Sequence, residues 1–346
     1  MWRVVHEMRG TDAWDRTRST TVASMSRPPR PLPPGLGEAF RVADALALGV
    51  TPTRLRSATL EAPFRGIRTA PFIADDVDED APFAHDRRVR ERTLHVARAY
   101  APLLPPSGFF AGRTAAVLWG LYTPPSDGIE VAVFAGTRAP RRVGVRARTV
   151  LPALATVRLH EGLRVASPAT TWAMLGAESD VRALVVAGDA AVRIPRDRWG
   201  ILRPDAALAT VAELQAAVDA GRRAGAARLR AALASIVTGA ASPPETLHRL
   251  DCAAAGLPTP LLDAEIRDGT GRLLGVSEFA YPSARLVVEL EGDHHRTSAR
   301  QWHRDIEKYR AYAEAGWEVV RITAADRRTG RDVEVVRRAL ARRGGL

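Results

Sequence analysis

The hydrophobic and polar positions divide the chain into three folded regions, and the first of them is short. Residues 38–48 place apolar side chains at helical spacing, and Thr51 can cap a second helix that runs to Leu60. Residues 63–70 are typical of two strands around a glycine turn. Two short helices followed by such a hairpin predict a winged helix-turn-helix over residues 36–72, with a plain helical hairpin as the alternative.

A mixed pattern of helices and strands follows and predicts a small α/β domain over residues 86–195. Its helices are inferred from helical spacing and its strands from short apolar runs. The predicted elements are helices over 86–100 and 114–121, strands over 129–134 and 143–148, and a hairpin of 156–160 with 163–166. Two Ala-rich helices, over 211–220 and 222–237, predict a helical connector that spans residues 196–240.

The last third of the chain, residues 241–346, alternates again between helices and strands. Ser242 is placed to cap its first helix, and Pro282 marks a turn between its second and third strands. The predicted elements are helices over 243–255, 298–315 and 332–343, and strands over 261–267, 273–281, 286–291 and 317–323. Their order is αβββαβα, and together the three regions predict a multidomain protein of the α+β or α/β class.

Composition narrows the class of protein. The 346 residues are 46% hydrophobic and 26% charged, which excludes a disordered or fibrous chain. Cys252 is the only cysteine, so an internal disulfide framework and a multi-thiolate zinc site are excluded, and we expect a cytoplasmic setting. Since no apolar run is long enough to span a membrane, we expect no membrane partner.

Two polar segments lie outside the predicted domains. Residues 1–35 carry scattered charges and a proline-rich end, so we expect a disordered tail, with Met25 as an alternative start to Met1. Residues 75–80 place five acids in six positions, which is typical of a solvated linker. A domain boundary is therefore predicted at this acidic run.

The charge balance points weakly to nucleic acid. Lys and Arg number 50 and Asp and Glu 39, which gives a net charge of +11 and makes DNA a plausible partner. Lys308 is the single lysine, and all other basic residues are arginines in an Ala-rich chain. Such a bias makes the arginine count by itself a weak argument for DNA binding.

Three acidic residues interrupt two adjacent apolar strands of the last domain. Glu289 and Glu291 are two apart, so on a strand both carboxylates leave the same face. Glu278 lies on the preceding strand, and the turn at Pro282 folds that strand antiparallel beside Glu289. Converging carboxylates repel one another unless a divalent cation is bound, and oxygen ligands favour Mg²⁺ or Mn²⁺. These acids therefore predict a metal site.

A second interpretation of the same acids stays open. They would lie on the solvent face of an edge strand and pair with Arg285, Arg296 or Arg321. His294 and His295 follow the acids directly. Beside a carboxylate cluster one of these histidines would accept a proton from an attacking water, and otherwise both are structural.

Four stretches of the last domain carry a family resemblance. They are SPPETLHRL, VSEFAYPSARLVVELEGDHH, QWHRDIEKYRAYAEAGWEVVRIT and the basic last helix. In this order they resemble the Vsr-like branch of the restriction-endonuclease-like, PD-(D/E)xK superfamily, in a form found as an uncharacterised bacterial domain. The resemblance implies a metal-dependent phosphodiesterase fold in which Glu245, Glu278 and the acids of the third strand surround the metal.

Three positions depart from the usual pattern of that family. Glu278 stands where Asp is usual, and Glu291 replaces a second Asp where the broader superfamily has a lysine. Lys308 falls on the following helix, where Asp305 either matches a recurrent family acid or pairs with Lys308 at i, i+3. Either a histidine takes over water activation, or the nuclease-like domain is inactive.

Three stretches of the first two domains are similar, more weakly, to AbiEi-type antitoxins and transcriptional regulators. They are FRVADALALGVTPTRLRSATLEAPFRGIRT, TAAVLWGL and GLRVASPATTWAMLG. This resemblance implies a winged helix on a small α/β domain, DNA and a toxin or defence-system protein as partners, and no required cofactor. It places Arg54 and Arg56 near the major groove and Arg65 and Arg68 against the DNA backbone.

These features predict a DNA-binding protein with a Mg²⁺-dependent endonuclease domain that acts in DNA repair or phage defence. In this prediction a metal ion polarises the phosphate and activates water. The residues expected to act are Glu245, Glu278, Glu289, Glu291, His294 and His295, with Glu278, Glu289 and Glu291 as metal ligands. The alternative is an AbiEi-type antitoxin or regulator whose nuclease-like domain is inactive.

Overall fold

The structure is a computed structural model that describes residues 30–74, 84–124, 126–291 and 299–346. Within these ranges the chain forms helices α1 to α12 and strands β1 to β11, which are arranged in three sheets. The mixed α and β class predicted from the sequence is therefore confirmed. Outside the described residues lie 1–29, with Met25, and the acidic run at 75–80.

The first unit has shorter elements than the sequence predicts. Its elements are β1 (Ala39–Arg41), α1 (Val42–Ala47), α2 (Pro52–Leu55) and β2 (Ile67–Thr69). The predicted helix over 38–48 is wrong at its start, because residues 39–41 pair antiparallel with β2 and bury Phe40. Thr51 does cap α2, since its hydroxyl accepts a hydrogen bond from the Arg54 backbone N–H.

The second helix and the predicted wing also differ from the prediction. Helix α2 ends after one turn, where the Arg54 guanidinium donates to the hydroxyls of Ser57 and Thr59. Such polar side chains compete with helical hydrogen bonds and favour a turn. Residues 63–66 form no strand, and the partner of β2 is β1, with an added bridge from Glu61 to Thr69. The two-stranded wing is therefore wrong as predicted.

The central unit is a five-stranded sheet in the order β5-β4-β3-β7-β6. Its β3–β4 and β6–β7 pairs are antiparallel, and its β3–β7 and β4–β5 pairs are parallel. Phe64 and Ile67 of the first unit belong to the same buried cluster as Phe109 and Phe110 of β3, so the first unit packs on the sheet. The elements are α3 (Ala84–Tyr100), β3 (Gly108–Phe110), α4 (Gly112–Trp119), β4 (Ile129–Phe134), β5 (Val145–Val150), β6 (Val157–His160), β7 (Leu163–Ala166), α5 (Pro168–Leu175) and α6 (Val181–Val192).

The predicted connector is part of the central unit's helical layer. Helices α7 (Val211–Asp219) and α8 (Ala226–Leu233) share one apolar cluster with α4, α5 and α6 around the fully buried Trp172. Helix α8 starts later than predicted, because Gly225 adopts a φ of 78° just before it. Among the described residues, no helix combines the length and apolar character needed to cross a membrane.

The C-terminal unit is a four-stranded sheet in the order β11-β10-β9-β8. Strands β10 and β11 are parallel, and the other neighbours are antiparallel. Helix α10 packs on one face through Tyr312, and α9 and α12 pack on the other through Cys252 and Val336. The elements are α9 (Pro243–Ala254), β8 (Leu261–Arg267), β9 (Leu273–Tyr281), β10 (Leu286–Leu290), α10 (Ala299–Glu314), β11 (Glu318–Ile322), α11 (Ala324–Thr329) and α12 (Asp332–Arg342).

Helix α11 extends the predicted order αβββαβα by one element. Thr323 and Asp326 form a reciprocal capping box at its start, and Gly330 ends it with a φ of 67°. The other elements of this unit match the predicted helices and strands within one or two residues. The core order of the C-terminal unit is therefore confirmed, with this added turn of helix before α12.

A buried polar network joins the central and C-terminal units. Asp189 on α6 is 1% exposed and accepts hydrogen bonds from the Val237 backbone N–H (2.8 Å), the Thr246 hydroxyl (2.8 Å) and the Arg249 guanidinium (2.9 Å). Burial raises the pKa of Asp189, while these partners lower it. Since Thr246 and Arg249 lie on α9, this network connects the two units through their helices. We call these four residues the α6–α9 lock.

Candidate active site

The β9–β10 hairpin brings two of the predicted acids together. Val288 lies opposite Phe279 in the antiparallel ladder, so one further step places Glu289 opposite Glu278. The Leu290 backbone N–H donates to Glu278 Oε2 at 2.6 Å. Strand β10 is an inner strand and Glu289 is 8% exposed, so the edge-strand interpretation is wrong for Glu289.

Lys308 supplies a positive charge to this pair from helix α10. Its Nζ lies 2.7 Å from Glu289 Oε1 and donates a second hydrogen bond to the Val276 carbonyl at 2.9 Å. The rings of Tyr309 and Tyr312 flank the ammonium, with centroids at 5.2 and 5.6 Å. The candidate site therefore contains a lysine, although it comes from the helix rather than from the third strand.

The pKa of Glu278 depends on its burial and on the charged groups around it. The pKa of Glu278 is raised to about 8, mainly by burial and also by the negative charges of Glu245 and Glu289. The hydrogen bond from Leu290 and the charge of Lys308 act in the opposite direction. Without a cation, much of Glu278 is therefore protonated at neutral pH. The same burial raises the pKa of the Tyr309 hydroxyl.

Glu245 lies near the pair but serves helix α9 in this structure. Its Oε2 accepts a hydrogen bond from the Ala241 N–H and its Oε1 from the Ser242 hydroxyl, both at 2.7 Å. The Ser242 hydroxyl also accepts from the Glu245 N–H, as in a capping box. Burial raises the pKa of Glu245, and these hydrogen bonds lower it. Both oxygens of this predicted ligand are thus occupied by the helix cap.

Glu291, another predicted ligand, has a partner of its own in this structure. Glu291 forms an ion pair with Arg321, one of the partners that the solvent-face interpretation names. Arg321 lies directly opposite Glu289 in the parallel β10–β11 ladder, so its positive charge borders the site. His294 and His295 lie outside the described residues, as does Arg296.

The residues that could hold a divalent cation are the two carboxylates of Glu278 and Glu289. In the described part of the chain, no group of three or more His, Cys, Asp or Glu side chains is arranged to hold a metal ion. Mg²⁺ is commonly held by one or two carboxylates together with waters and substrate phosphates. Glu278 and Glu289 meet that requirement, because each raises the energy of the other's charge and a cation would relieve this repulsion.

Sequence reasoning left Lys308 outside the set of candidate site residues. The signal was present, because a single lysine stands in a chain that otherwise uses arginine for every basic position. Lysine and arginine are not interchangeable at such a contact, because an ammonium is a compact point charge and a guanidinium is a planar fork. The SPPE stretch likewise contained the Ser-x-x-Glu capping pattern that engages Glu245.

The four arginines predicted to contact DNA have different surroundings. Arg54 donates to the Arg30 carbonyl at 2.8 Å and to two hydroxyls of its own turn. Arg68 donates to the Leu55 carbonyl at 2.6 Å and to the Ile67 carbonyl at 2.8 Å. Arg56 and Arg65 are exposed. The first unit thus presents only part of the predicted basic set to solvent.

A buried Cys–His–Asp arrangement lies on the other face of the C-terminal sheet. His248 Nδ1 is 2.7 Å from Asp332 Oδ2, and its Nε2 is 3.5 Å from Cys252 Sγ. All three side chains are at most 7% exposed. Burial, with a smaller contribution from the Asp332 charge, raises the pKa of Cys252 to about 12, so the group is a thiol at neutral pH. This arrangement ties α9 to α12 rather than forming a nucleophile.

Comparisons with known proteins leave the two resemblances as predictions. No model of a known protein family matches the chain, and no curated protein matches it. What bears on function is therefore the geometry of Glu278, Glu289 and Lys308 and the distribution of charge over the surface.

Proposed function

We propose that the C-terminal unit hydrolyses phosphodiester bonds in DNA with the help of a divalent cation. The observation that carries this proposal is the contact of Lys308 Nζ with Glu289 at 2.7 Å, beside Glu278. Two carboxylates and a lysine at the centre of a sheet, between a first helix and a crossover helix, resemble the restriction-endonuclease-like pattern. The lysine that this pattern requires comes here from α10.

Each residue of the site has a role that follows from its chemistry. Glu278 and Glu289 would hold Mg²⁺ or Mn²⁺, which when bound would polarise the scissile phosphate and promote attack by water. Lys308 compensates the charge of Glu289 and orients a water molecule or a phosphate oxygen through its N–H groups. Arg321, opposite Glu289, adds positive charge where a phosphate would approach.

A second function is favoured by the engagement of the outer acids. Glu245 is held by its helix cap and Glu291 by Arg321, so only two of the predicted acids remain for a cation. A DNA-binding regulator or antitoxin with an inactive nuclease-like unit would not need a complete set of metal ligands. Cleavage measurements separate the two functions directly.

The test is a cleavage assay of the wild-type chain and three single variants with supercoiled, linear and single-stranded DNA. We expect the wild type to cleave in Mg²⁺ or Mn²⁺ but not in chelator. Glu289→Gln and Lys308→Met should each reduce the rate at least about 100-fold, because a transition-state contact of a few kcal/mol is lost. Glu334→Gln, at an exposed ion pair on α12, is the matched control and should retain the wild-type rate.

Calorimetry of Mg²⁺ binding supplies a readout that does not depend on cleavage. Wild type and Lys308→Met should bind the ion, and Glu289→Gln should bind it more weakly. Cleavage that persists in chelator, or in Glu289→Gln, would contradict this proposal. Binding of DNA with no cleavage under any divalent ion would instead support the regulator.

A further inference from the structure

The loop between β4 and β5, residues 137–144, concentrates positive charge on the surface. Arg138, Arg141 and Arg142 are exposed, and none of them forms an ion pair in the described part of the chain. Val143 beside them is 99% exposed. No acid occurs between residues 137 and 148. We call residues 137–144 the arginine loop.

The two arginines that follow the loop on β5 differ from the loop arginines because they pair with a carboxylate. Arg148 Nη2 lies 3.3 Å from Glu130 Oε2, and Arg146 Nη1 lies 3.8 Å from Glu130 Oε1. Glu130 is 1% exposed, so a buried carboxylate compensates the two strand arginines. The three loop arginines have no such compensation, and they lie within five residues of one another in a stretch without an acid.

The arginine loop also contacts the first unit at a second exposed arginine. The Arg142 guanidinium donates to the Arg65 carbonyl at 3.4 Å, so the loop and the turn over residues 61–66 lie side by side. Glu61, the acid of this turn, lies 3.9 Å from His95 Nε2. The guanidinium groups of the arginine loop and of Arg65 therefore lie on neighbouring segments, and a polyanion would offset their mutual repulsion.

Helix α2 is a poor alternative for such a ligand. It has four residues, and Arg54 in it is engaged by the Arg30 carbonyl and by neighbouring hydroxyls. A recognition helix needs exposed side chains over more than one turn to reach base edges. The exposed positive charge that a nucleic acid could contact therefore lies where the arginine loop meets Arg65, and not on α2.

We propose that the arginine loop and Arg65 form the surface that contacts the phosphates of duplex DNA. The inference rests on the proposed function in taking DNA as the partner, but it assigns the contact to the central unit. Exposed guanidinium groups that form no ion pair among the described residues suit phosphate oxygens, and the contacts would carry little base specificity. Val143 at the tip adds an apolar contact to a groove.

The test is the salt dependence of binding to a 30-base-pair duplex, measured in chelator so that cleavage plays no part. Each phosphate contact contributes about 0.9 to the slope of log affinity against log salt, so Arg138→Ala/Arg141→Ala/Arg142→Ala should lower the slope by roughly 2 to 3. Its affinity at 0.1 M salt should fall at least about tenfold. Thermal melts check that the variant is folded.

A matched triple variant controls for net charge. Arg222→Ala/Arg230→Ala/Arg328→Ala removes the same charge at exposed positions and should keep the wild-type slope. An unchanged slope in the loop variant would overturn this assignment, and so would an equal loss of slope in both variants. The assignment would also be overturned if the wild type did not bind duplex DNA, or if it bound duplex RNA more tightly through the same arginines. A wild type that binds through the loop but never cleaves would overturn only the nuclease proposal.

Discussion

Lys308 contacts Glu289 in a buried part of the C-terminal unit, where an unpaired charge would be unfavourable. Glu289 is 8% exposed, so the desolvation of its carboxylate must be offset by a partner. The lysine stem crosses the site between Tyr309 and Tyr312, and Lys308 carbons pack against the position of Gly275. A planar guanidinium on a stem of different length would not place its charge on the same oxygen.

Glu278 makes the stability of the protein depend on pH. Its pKa is about 8 when folded and 4.5 in the absence of the fold, so the folded state binds more protons between these values. The free energy of unfolding in chelator should therefore fall as pH rises from about 4.5 to 8. Glu278→Gln should weaken this fall and make the variant relatively more stable at pH 8.5 than at pH 5. Urea unfolding at the two pH values measures the effect.

Glu334→Gln is the reference for that comparison. Its carboxylate is exposed and paired with arginines of α12, so the wild-type pH dependence should remain. Buried Asp189 and Glu245 also have raised pKa values, so part of the pH dependence should remain in both variants. An identical pH dependence in Glu278→Gln and wild type would show that Glu278 is ionised in the folded protein.

At the scale of elements, helix α4 is fixed to the central sheet by a carboxylate at its first turn. Glu130 on β4 accepts a hydrogen bond from the Arg113 backbone N–H at 3.1 Å. A negative charge is favourable at a helix N-terminus, and the exposed N–H groups there need acceptors. Gly112 makes the approach possible, because it adopts a φ of 54° and a Cβ there would overlap Glu130 Oε2.

Gly112→Ala should therefore destabilise the central unit by more than the cost of the backbone strain alone. Gly136→Ala is the control, since Gly136 has a φ of 95° and no atom within 4 Å of an added Cβ. The control should lose about 1 to 2 kcal/mol from the unfavourable backbone. Gly112→Ala should lose at least about 1 kcal/mol more through overlap with Glu130. Urea unfolding gives both values, and equal losses would contradict a tight contact.

Elements with strong local signals could be predicted from the sequence. Glu161 and Gly162 form a two-residue turn with φ of 52° and 77°, and the β6–β7 hairpin around them is confirmed. Ser242 caps the helix predicted to follow it. Strand β1 has no such signal, because three residues become a strand only when β2 is folded against them.

The candidate site was predictable only in part, for a similar reason. Strand alternation and the turn at Pro282 predict that Glu278 and Glu289 are neighbours, and the ladder runs to the residues beside them, Phe279 and Val288. The contact of Lys308 depends on how α10 lies on the sheet, which local spacing does not determine. The cap that engages Glu245 competes with metal binding, and sequence alone does not show which contact prevails.

At the scale of the whole molecule, the α6–α9 lock contains the most deeply buried ion pair described between the central and C-terminal units. Asp189 is 1% exposed and its partner Arg249 is 11% exposed. Arg182 and Asp251 form a second connection at 2.8 Å, but their side chains are 40% and 45% exposed. Buried and exposed ion pairs differ greatly in what their removal costs.

Asp189→Ala should therefore destabilise the protein by about 3 to 5 kcal/mol, because Arg249 and the Val237 N–H lose a buried acceptor. Asp251→Ala, at the exposed pair between the same two helices, should cost at most about 1 kcal/mol. Differential scanning calorimetry measures both, and in Asp189→Ala the two units should begin to unfold in separate transitions. A single transition with wild-type midpoint in Asp189→Ala would show that the lock is dispensable.

The lock also limits how this protein could exchange parts with others during evolution. A gene fusion that supplied a different C-terminal unit after residue 240 would leave Asp189 buried without Thr246 and Arg249. An incoming unit would satisfy Asp189 if its first helix carried hydrogen-bond donors at the same place, as Thr246 and Arg249 do here. Recombination is therefore expected to preserve α6 and α9 together, so that the two units are inherited as a pair.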